Sequence, residues 1–122
     1  MKKPTKTSLM KKCDLLFSAY WRNKVGCCEW CGRRDMRLEL AHIVSRSVRK
    51  LRYDRDNCLV LCSGCHRKAH SNPPLFTELV TRKKGKDILL YLIKASQTLV
   101  PLTIKWYEKQ LKKIQHLTNN EI

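Results

Sequence analysis

The chain has 122 residues, a length that fits one small domain. Its 26 lysines and arginines against 10 acidic residues give a net charge of +16, while 43% of the residues are hydrophobic. That apolar fraction excludes wholesale disorder, and no run of apolar residues is long enough for a membrane-spanning helix. So large a charge repels itself unless a polyanion is bound, so nucleic acid is the first expected partner and an anionic membrane surface the weaker alternative.

The start of the chain predicts a basic segment followed by one helix. Residues 1–7 are basic, but no long apolar stretch follows them, so we expect no secretory signal and a cytoplasmic protein. Residues 8–24 place apolar side chains at helical spacing, and Gly26 ends that segment. Since disulfides are not expected without a signal, the seven cysteines need another explanation, for which metal binding is the usual one.

The middle of the chain predicts two short strands followed by a helix. The predicted elements are, in chain order, a turn or knuckle at 27–37, a strand at 38–44, a basic connection at 45–56, a strand at 58–61 and a helix from 63 to about 70. Asn72-Pro73-Pro74 breaks this helix.

The C-terminal region, residues 75–117, is predicted to be helical. Its elements are a short helix at 75–84 ended by Gly85, a helix at 87–95 and an amphipathic helix from near Pro101 to about 117. The dense apolar run at 88–93 is interpreted as a buried helix, with a strand as the open alternative. No linker divides the chain, so we expect one domain over 1–122, with an N-terminal helix at 8–24, a core at 27–71 and this helical region.

Two Cys-x-x-Cys pairs predict a structural zinc site. The four expected ligands are Cys28, Cys31, Cys62 and Cys65. Each pair brings two thiolates to one tetrahedral ion, so two pairs fill its coordination and leave no open position. Cys27 could replace Cys28 as a ligand, although the spacing favours Cys28. The alternative to a zinc site is a set of buried thiols whose spacing arises by chance. Cys13 and Cys58 are expected to pack as small hydrophobic residues.

Three of the four histidines fall within the same framework. His42 ends the first strand, His66 follows Cys65, and His70 comes one helical turn later. Residues four apart share a helix face, so His66 and His70 can bind one ion together. Cys65 and His66 point about 100° apart, so the helix start can hold zinc on one side and a second ion on the other. Two alternatives remain open: His66 and His70 as zinc ligands, and His42 as a hydrogen-bonded strand residue without chemistry.

In this order and spacing, five pieces of sequence resemble the HNH nuclease family in its zinc-knuckle branch. They are Cys28-Glu29-Trp30-Cys31, Leu40-Ala41-His42-Ile43, Asn57, Cys62-Ser63-Gly64-Cys65-His66 and His70. The resemblance covers about residues 27–71 and implies a treble-clef-like ββα-metal core. With the structural zinc on four cysteines and the flanking N- and C-terminal helices predicted above, the expected fold class is α+β. The rest of the chain looks like the small HNH proteins of phages. This likeness implies a protein located in the bacterial host cytoplasm, with phage packaging proteins as candidate partners.

The resemblance also implies an activity and the residues that perform it. The activity is hydrolysis of phosphodiester bonds in double-stranded DNA, by an endonuclease or a nickase, with 5′-phosphate and 3′-hydroxyl products. It implies His42 as the general base that activates water, and Asn57 as the residue that pins the loop and orients His42. It counts His66 as catalytic and, with His70, as a ligand of a divalent ion: Mg²⁺, Mn²⁺, Ni²⁺ or Zn²⁺.

One departure from the family pattern concerns the catalytic ion. Family members usually carry Asp or His immediately before the catalytic histidine as a further metal ligand, whereas this chain has Ala41. Glu39, on the same face of the strand, is a candidate substitute. The missing ligand also suits an alternative function, a non-catalytic zinc-containing module that binds nucleic acid.

Basic residues around the core are the predicted DNA contacts. They are Arg46, Arg49, Lys50, Arg52 and Arg67, with Arg46 the best single candidate for a contact to the scissile phosphate. Contacts of this kind are largely blind to sequence and weaken steeply with salt. Solvated surface charge is the alternative interpretation for any one of them. The same two interpretations, a DNA contact or a solvated surface charge, apply to the C-terminal lysines Lys105, Lys109, Lys112 and Lys113.

Overall fold

In the computed structural model, which describes residues 3–119, five α-helices surround a two-stranded antiparallel sheet. The elements are α1 (Lys6–Val25), β1 (Leu38–His42), β2 (Cys58–Cys62), α2 (Ser63–Ser71), α3 (Pro73–Lys84), α4 (Asp87–Gln97) and α5 (Ile104–Asn119). Two 3₁₀ turns, Arg49–Leu51 and Arg55–Asn57, lie in the loop that joins the strands. The predicted α+β class and the order of elements are confirmed, and the two ends of the predicted 1–122 domain, 1–2 and 120–122, lie outside the described residues.

Helix α1 begins and ends where its sequence provides caps. The Thr5 hydroxyl accepts from the Ser8 amide at 3.0 Å, and the Ser8 hydroxyl accepts from the Thr5 amide at 2.9 Å. This reciprocal pair satisfies two amides that would otherwise lack partners at a helix start. At the other end Gly26 adopts a φ of 72°, a left-handed conformation that glycine adopts without strain. The buried face of the helix consists of Leu9, Cys13 and Phe17.

The sheet lies between two apolar clusters, one on each face. In the antiparallel register Ala41 pairs with Leu59 and His42 with Cys58, and all five residues of β2 are buried. One cluster joins the sheet to α2 and α3 and includes Cys28, Ala41, Leu59, Leu61, Ala69, Leu79 and Val80. The other joins it to α1 and α5 through Cys13, Phe17, Cys58 and Ile114. The end of β1 is thereby held between α1 and α2.

Cys13 and Cys58, which are not among the four expected zinc ligands, pack as predicted. Cys13 and Cys58 are fully buried in the cluster between the sheet, α1 and α5. Burial raises the pKa of Cys13 to about 11 and that of Cys58 to about 12, because a thiolate is poorly solvated there. Both therefore remain neutral thiols at pH 7.

The apolar run at 88–93 forms a helix, α4, but the prediction that this helix is buried was wrong. Leu92 is buried, whereas Leu90, Tyr91 and Ile93 are 60%, 45% and 53% exposed. The reason is that the apolar side chains surround α4, while α3 and the 3₁₀ turns cover only one of its sides. Among residues 3–119, the helices all lack the combination of length and apolar character that crossing a membrane requires.

Candidate functional site

The four predicted zinc ligands converge at one point. The sulfur atoms of Cys28, Cys31, Cys62 and Cys65 all lie within 4.8 Å of one another. Sγ of Cys31 is 3.8 Å from Sγ of Cys62, which is the spacing expected of two ligands that each lie about 2.3 Å from one tetrahedral ion. Cys28 belongs to this group and Cys27 does not, in agreement with the spacing. The donor set and its spacing fit zinc.

Backbone amides shape each knuckle around its first sulfur. The amides of Trp30 and Cys31 donate to Cys28 Sγ at 3.4 and 3.5 Å, and the amide of Cys65 donates to Cys62 Sγ at 3.5 Å. Burial raises the pKa of Cys28, but the hydrogen bonds that its sulfur receives outweigh burial and bring the pKa to about 6. Because a metal binds the thiolate, these amides favour the ligating form.

Glu29 attaches the first knuckle to the sheet, a contact that the sequence did not predict. Its carboxylate accepts from the Val60 amide at 2.8 Å, and its own amide donates to the Val60 carbonyl at 2.8 Å. The Arg55 guanidinium lies 3.7 Å from the same carboxylate. The first knuckle therefore docks on β2, while the second continues from β2 directly into α2. A zinc ion held by both would fix α2 against the hairpin.

The three predicted histidines line one cavity beside these knuckles. His42, His66 and His70 border a cavity of about 230 Å³ between the end of β1 and helix α2. The rings of His66 and His70 have centroids 5.0 Å apart and are tilted by 34°, as expected of residues four apart on a helix. The β1–β2–α2 arrangement thus brings residues from a strand end and from one helix face to a shared space.

Glu39 makes a direct contact with His66. Its Oε1 lies 2.8 Å from His66 Nδ1, and since a carboxylate only accepts, Nδ1 must carry the proton. In the neutral form of the ring the lone pair would then be on Nε2, which is the arrangement found when a carboxylate orients a metal-binding histidine. Ala41, on the same face of β1, contributes only a methyl group. Within residues 3–119, the four cysteines are the one set of three or more ligand-type side chains close enough to hold an ion.

His42 is held by a carbonyl of the loop. Its Nε2 lies 2.9 Å from the Arg52 carbonyl oxygen, so Nε2 is the protonated nitrogen. Nδ1 is buried and has no hydrogen-bond partner among residues 3–119. Burial lowers the pKa of His42, and the charges of Arg46 and Arg52 act in the same direction, against the opposing effect of the bond to the carbonyl. The ring is therefore neutral at pH 7, with a free lone pair on Nδ1.

Asn57 joins distant parts of the loop. It is fully buried, its Oδ1 accepts from the Val44 amide at 2.7 Å, and its Nδ2 donates to the carbonyls of Val44 and Leu51 at 3.0 and 3.1 Å. Its own carbonyl accepts from the Ile43 amide at 2.8 Å. These bonds fix the residues that directly follow His42.

The five basic residues predicted to contact DNA are not equally available. Arg49 and Arg67 are exposed, and the side chain of Arg46 is 58% exposed. The Lys50 ammonium donates to the Thr98 carbonyl at the end of α4. The side chain of Arg52 is only 12% exposed, because its guanidinium pairs with a carboxylate of α1. Four of the five thus reach the surface at least in part, whereas Arg52 is committed to an internal contact.

Comparison with known proteins finds one similarity, over the core of the chain. Residues 28–72 match the model of the HNH endonuclease family, which confirms the resemblance over the two knuckles, both strands and α2. With four cysteines placed for a metal, these elements are consistent with an HNH ββα-metal core. Comparison with curated proteins and with solved structures gives no match.

Proposed function

From the HNH match, we propose that this chain is a metal-dependent DNA endonuclease or nickase in which His42 activates the attacking water. The observation that carries the proposal is the convergence of His42, His66 and His70 on one cavity beside the cysteine knuckles. A module that only binds nucleic acid needs the knuckles and the positive charge. It has no use for a strand-end imidazole that borders the same cavity as a pair of helical imidazoles.

The contacts of His42 suit a general base. The Arg52 carbonyl holds the proton on Nε2, so Nδ1 is the nitrogen that accepts a proton from water. Nδ1 has no partner among residues 3–119 although it is buried, an arrangement that costs free energy unless a ligand or water completes it. The lowered pKa keeps the base in its neutral form at pH 7. Asn57, through its bonds to Val44 and Leu51, holds the loop that contains the Arg52 carbonyl.

His66 and His70 bring two imidazole rings to the same cavity. Glu39 orients His66 with Nε2 free, and the ring of His70 lies beside it on the next helical turn. A divalent ion bound there (Mg²⁺, Mn²⁺, Ni²⁺ or Zn²⁺) supplies stabilisation of the charge that develops on the scissile phosphate and on the leaving 3′ oxygen. The 3′ oxygen departs and takes up a proton from solvent, which gives 5′-phosphate and 3′-hydroxyl products.

The positive surface supports double-stranded DNA as the substrate. The net charge is +16, and Arg46, Arg49 and Arg67 present exposed guanidinium groups around the core. Phosphate contacts of this kind bind any sequence and release counterions, so affinity falls steeply as salt rises. Arg46 and Arg67 belong to the two elements that border the histidine cavity, the loop after β1 and helix α2, which favours them as contacts near the scissile phosphate.

Cleavage of a supercoiled plasmid tests the proposal. Zinc-loaded protein is incubated with Mg²⁺, Mn²⁺, Ni²⁺ or Zn²⁺, and with EDTA as the metal-free arm. We expect relaxed or linear product that depends on the ion and a loss of about 100-fold or more in His42→Ala. His116→Ala is the matched control, because His116 lies on α5 and does not border the cavity. A near wild-type rate in His42→Ala would refute the assignment of the base.

Ala41 favours the second candidate, a non-catalytic zinc-containing module that binds nucleic acid, because it removes a ligand that the family usually carries. The same experiment separates the two functions when a gel-retardation assay is run in parallel. Retarded DNA without cutting under every ion would establish the binding module and exclude the nuclease. Cutting that depends on His42 would exclude the module.

A further inference from the structure

Helix α1 lies outside the matched segment, yet it contributes a carboxylate to the surroundings of His42. Asp14 accepts from Arg52 Nε at 2.7 Å and Arg52 Nη2 at 2.6 Å, from the Tyr53 hydroxyl at 2.9 Å and from Arg46 Nη2 at 3.4 Å. The Asp14 side chain is 24% exposed and that of Arg52 12% exposed. A two-bond arginine–carboxylate pair of this kind has a fixed relative orientation and is stronger than neutral hydrogen bonds.

The guanidinium and the backbone carbonyl of Arg52 bind different partners. Its guanidinium is bound to Asp14, while its carbonyl accepts from His42 Nε2 at 2.9 Å. Its Nη1 also donates to the Arg46 carbonyl at 3.3 Å, so the side chain bridges α1 and the loop. Rotation of the Arg52 peptide away from His42 would have to move a residue whose side chain is already fixed. The position of the carbonyl is therefore tied to α1.

We propose that Asp14 is a positioning residue for His42: by clamping Arg52 it holds the Arg52 carbonyl against Nε2 and leaves Nδ1 as the proton acceptor. The inference rests on the proposed function, because it takes His42 as the base. Asp14 contacts neither water nor phosphate in this role. It acts only through Arg52.

The charges around His42 support the same role for Asp14. Arg46 and Arg52 are cationic groups near the His42 ring, and the Asp14 carboxylate is the anionic group between them. When His42 accepts a proton from water it becomes cationic, which two unopposed guanidinium groups would disfavour. Loss of the carboxylate would thus weaken the base as well as release the carbonyl that orients it.

Asp14→Asn tests the role, because asparagine keeps the shape and one acceptor but removes the charge. The matched control is Asp35→Asn, which removes the same charge from a carboxylate that is 74% exposed and pairs with Arg33. We expect kcat for cleavage of a duplex oligonucleotide to fall about tenfold to a hundredfold in Asp14→Asn, with KM largely unchanged. Kinetics of Asp14→Asn equal to those of Asp35→Asn would overturn the proposal.

A spectroscopic measurement distinguishes positioning from general stability. Proton–nitrogen correlation spectra of the imidazole rings report which nitrogen of His42 carries the proton. We expect the Nε2–H form in the wild type and in Asp35→Asn, and a mixture of the two tautomers in Asp14→Asn. If the wild type cleaves nothing, the proposed function fails, but these spectra still decide whether Asp14 fixes the His42 tautomer. A pure Nε2–H form in Asp14→Asn would overturn the inference by itself.

A second variant covers the case in which Asp14→Asn does not fold. Arg52→Met keeps the carbonyl and removes the guanidinium, so it should reproduce the fall in kcat and the mixed tautomer. The double variant should be no worse than either single variant, because both break the same clamp. Additive losses, or an unchanged His42 spectrum in Arg52→Met, would refute the clamp.

Discussion

Glu39 on β1 and His66 on α2 are joined by a contact of 2.8 Å between Oε1 and Nδ1. This contact crosses from the hairpin to the helix, so it couples the position of a potential metal ligand to the sheet. If an ion binds His66 as proposed, the same contact would place Glu39 next to it even though Ala41 contributes no ligand. Carboxylate partners of ligating histidines commonly tune metal affinity, and this one gives the first prediction.

Glu39→Ala should weaken binding of the catalytic ion by about tenfold to a hundredfold, because His66 loses the acceptor that fixes its tautomer. Glu39→Gln should be milder, since the amide oxygen still accepts from Nδ1. The measurement is the Mn²⁺ concentration that gives half-maximal cleavage by zinc-loaded protein. Glu78→Gln is the control, because Glu78 is exposed on α3 and pairs with Arg82. An unchanged Mn²⁺ requirement in Glu39→Ala would show that the contact does not act on the ion.

The cysteine cluster predicts one structural zinc ion per chain. Cys65→Ser should lose the zinc and much of the cooperative unfolding transition, because structural zinc contributes directly to folding. Cys27→Ser should keep the zinc and the melting temperature, since Cys27 lies outside the cluster. Metal content by native mass spectrometry and thermal unfolding followed by circular dichroism check both expectations. Equal zinc loss in the two variants would contradict the ligand assignment.

The lowered pKa of His42 predicts the acid side of the pH–rate profile. His42 must be neutral to accept a proton, so kcat falls only when the pH drops through its folded pKa, which lies below the ordinary value of 6.5. At pH 6.5 the rate should therefore still exceed half of its plateau. The free energy of unfolding depends on pH in the same direction. The stabilisation from neutral His42 is complete above the pKa of the unfolded state and is lost as the pH falls through the pKa of the folded state. A half-maximal rate above pH 6.5 would contradict this.

Asn57 should contribute to stability as well as to the site. Asn57→Ala leaves the amide and carbonyl of Val44 and the carbonyl of Leu51 without their side-chain partner in a buried place, which should lower the free energy of unfolding by about 1–3 kcal/mol. Asn57→Asp should be at least as severe, because a carboxylate would face two carbonyl oxygens where Nδ2 now donates. Urea unfolding of the zinc-loaded variants measures both. Wild-type stability in Asn57→Asp would show that the loop does not depend on this donor.

Local spacing explains which parts of the site could be predicted from the sequence. The knuckles follow from Cys-x-x-Cys, and the His66–His70 pair follows from four-residue spacing on a helix, so both need only a few neighbouring residues. The bonds of Glu29 to Val60 and of Asp14 to Arg52 join segments that are distant in the chain. Their geometry depends on how α1 and the first knuckle dock on the sheet, and the sequence carries no local signal for that.

Helix α4 shows that the burial of a segment also depends on parts of the chain outside that segment. Its apolar run correctly predicts a regular element, but burial depends on the surfaces that neighbouring elements offer. With only α3 and the 3₁₀ turns against it, α4 keeps Leu90 and Ile93 in solvent. An apolar run thus indicates the tendency of a segment to be covered, while the packing of the whole chain decides how much of it is covered.

The attachment of α1 to the loop also bears on how far the core can be treated as a portable unit. A fragment comprising residues 28–72 would retain every cysteine ligand and all three cavity histidines, yet it would lack Asp14 and the apolar face that covers Cys58. Grafting that fragment into another scaffold would transfer the ligands without the α1 carboxylate that we propose positions His42. Designers who wish to transplant this core must move the first helix with it.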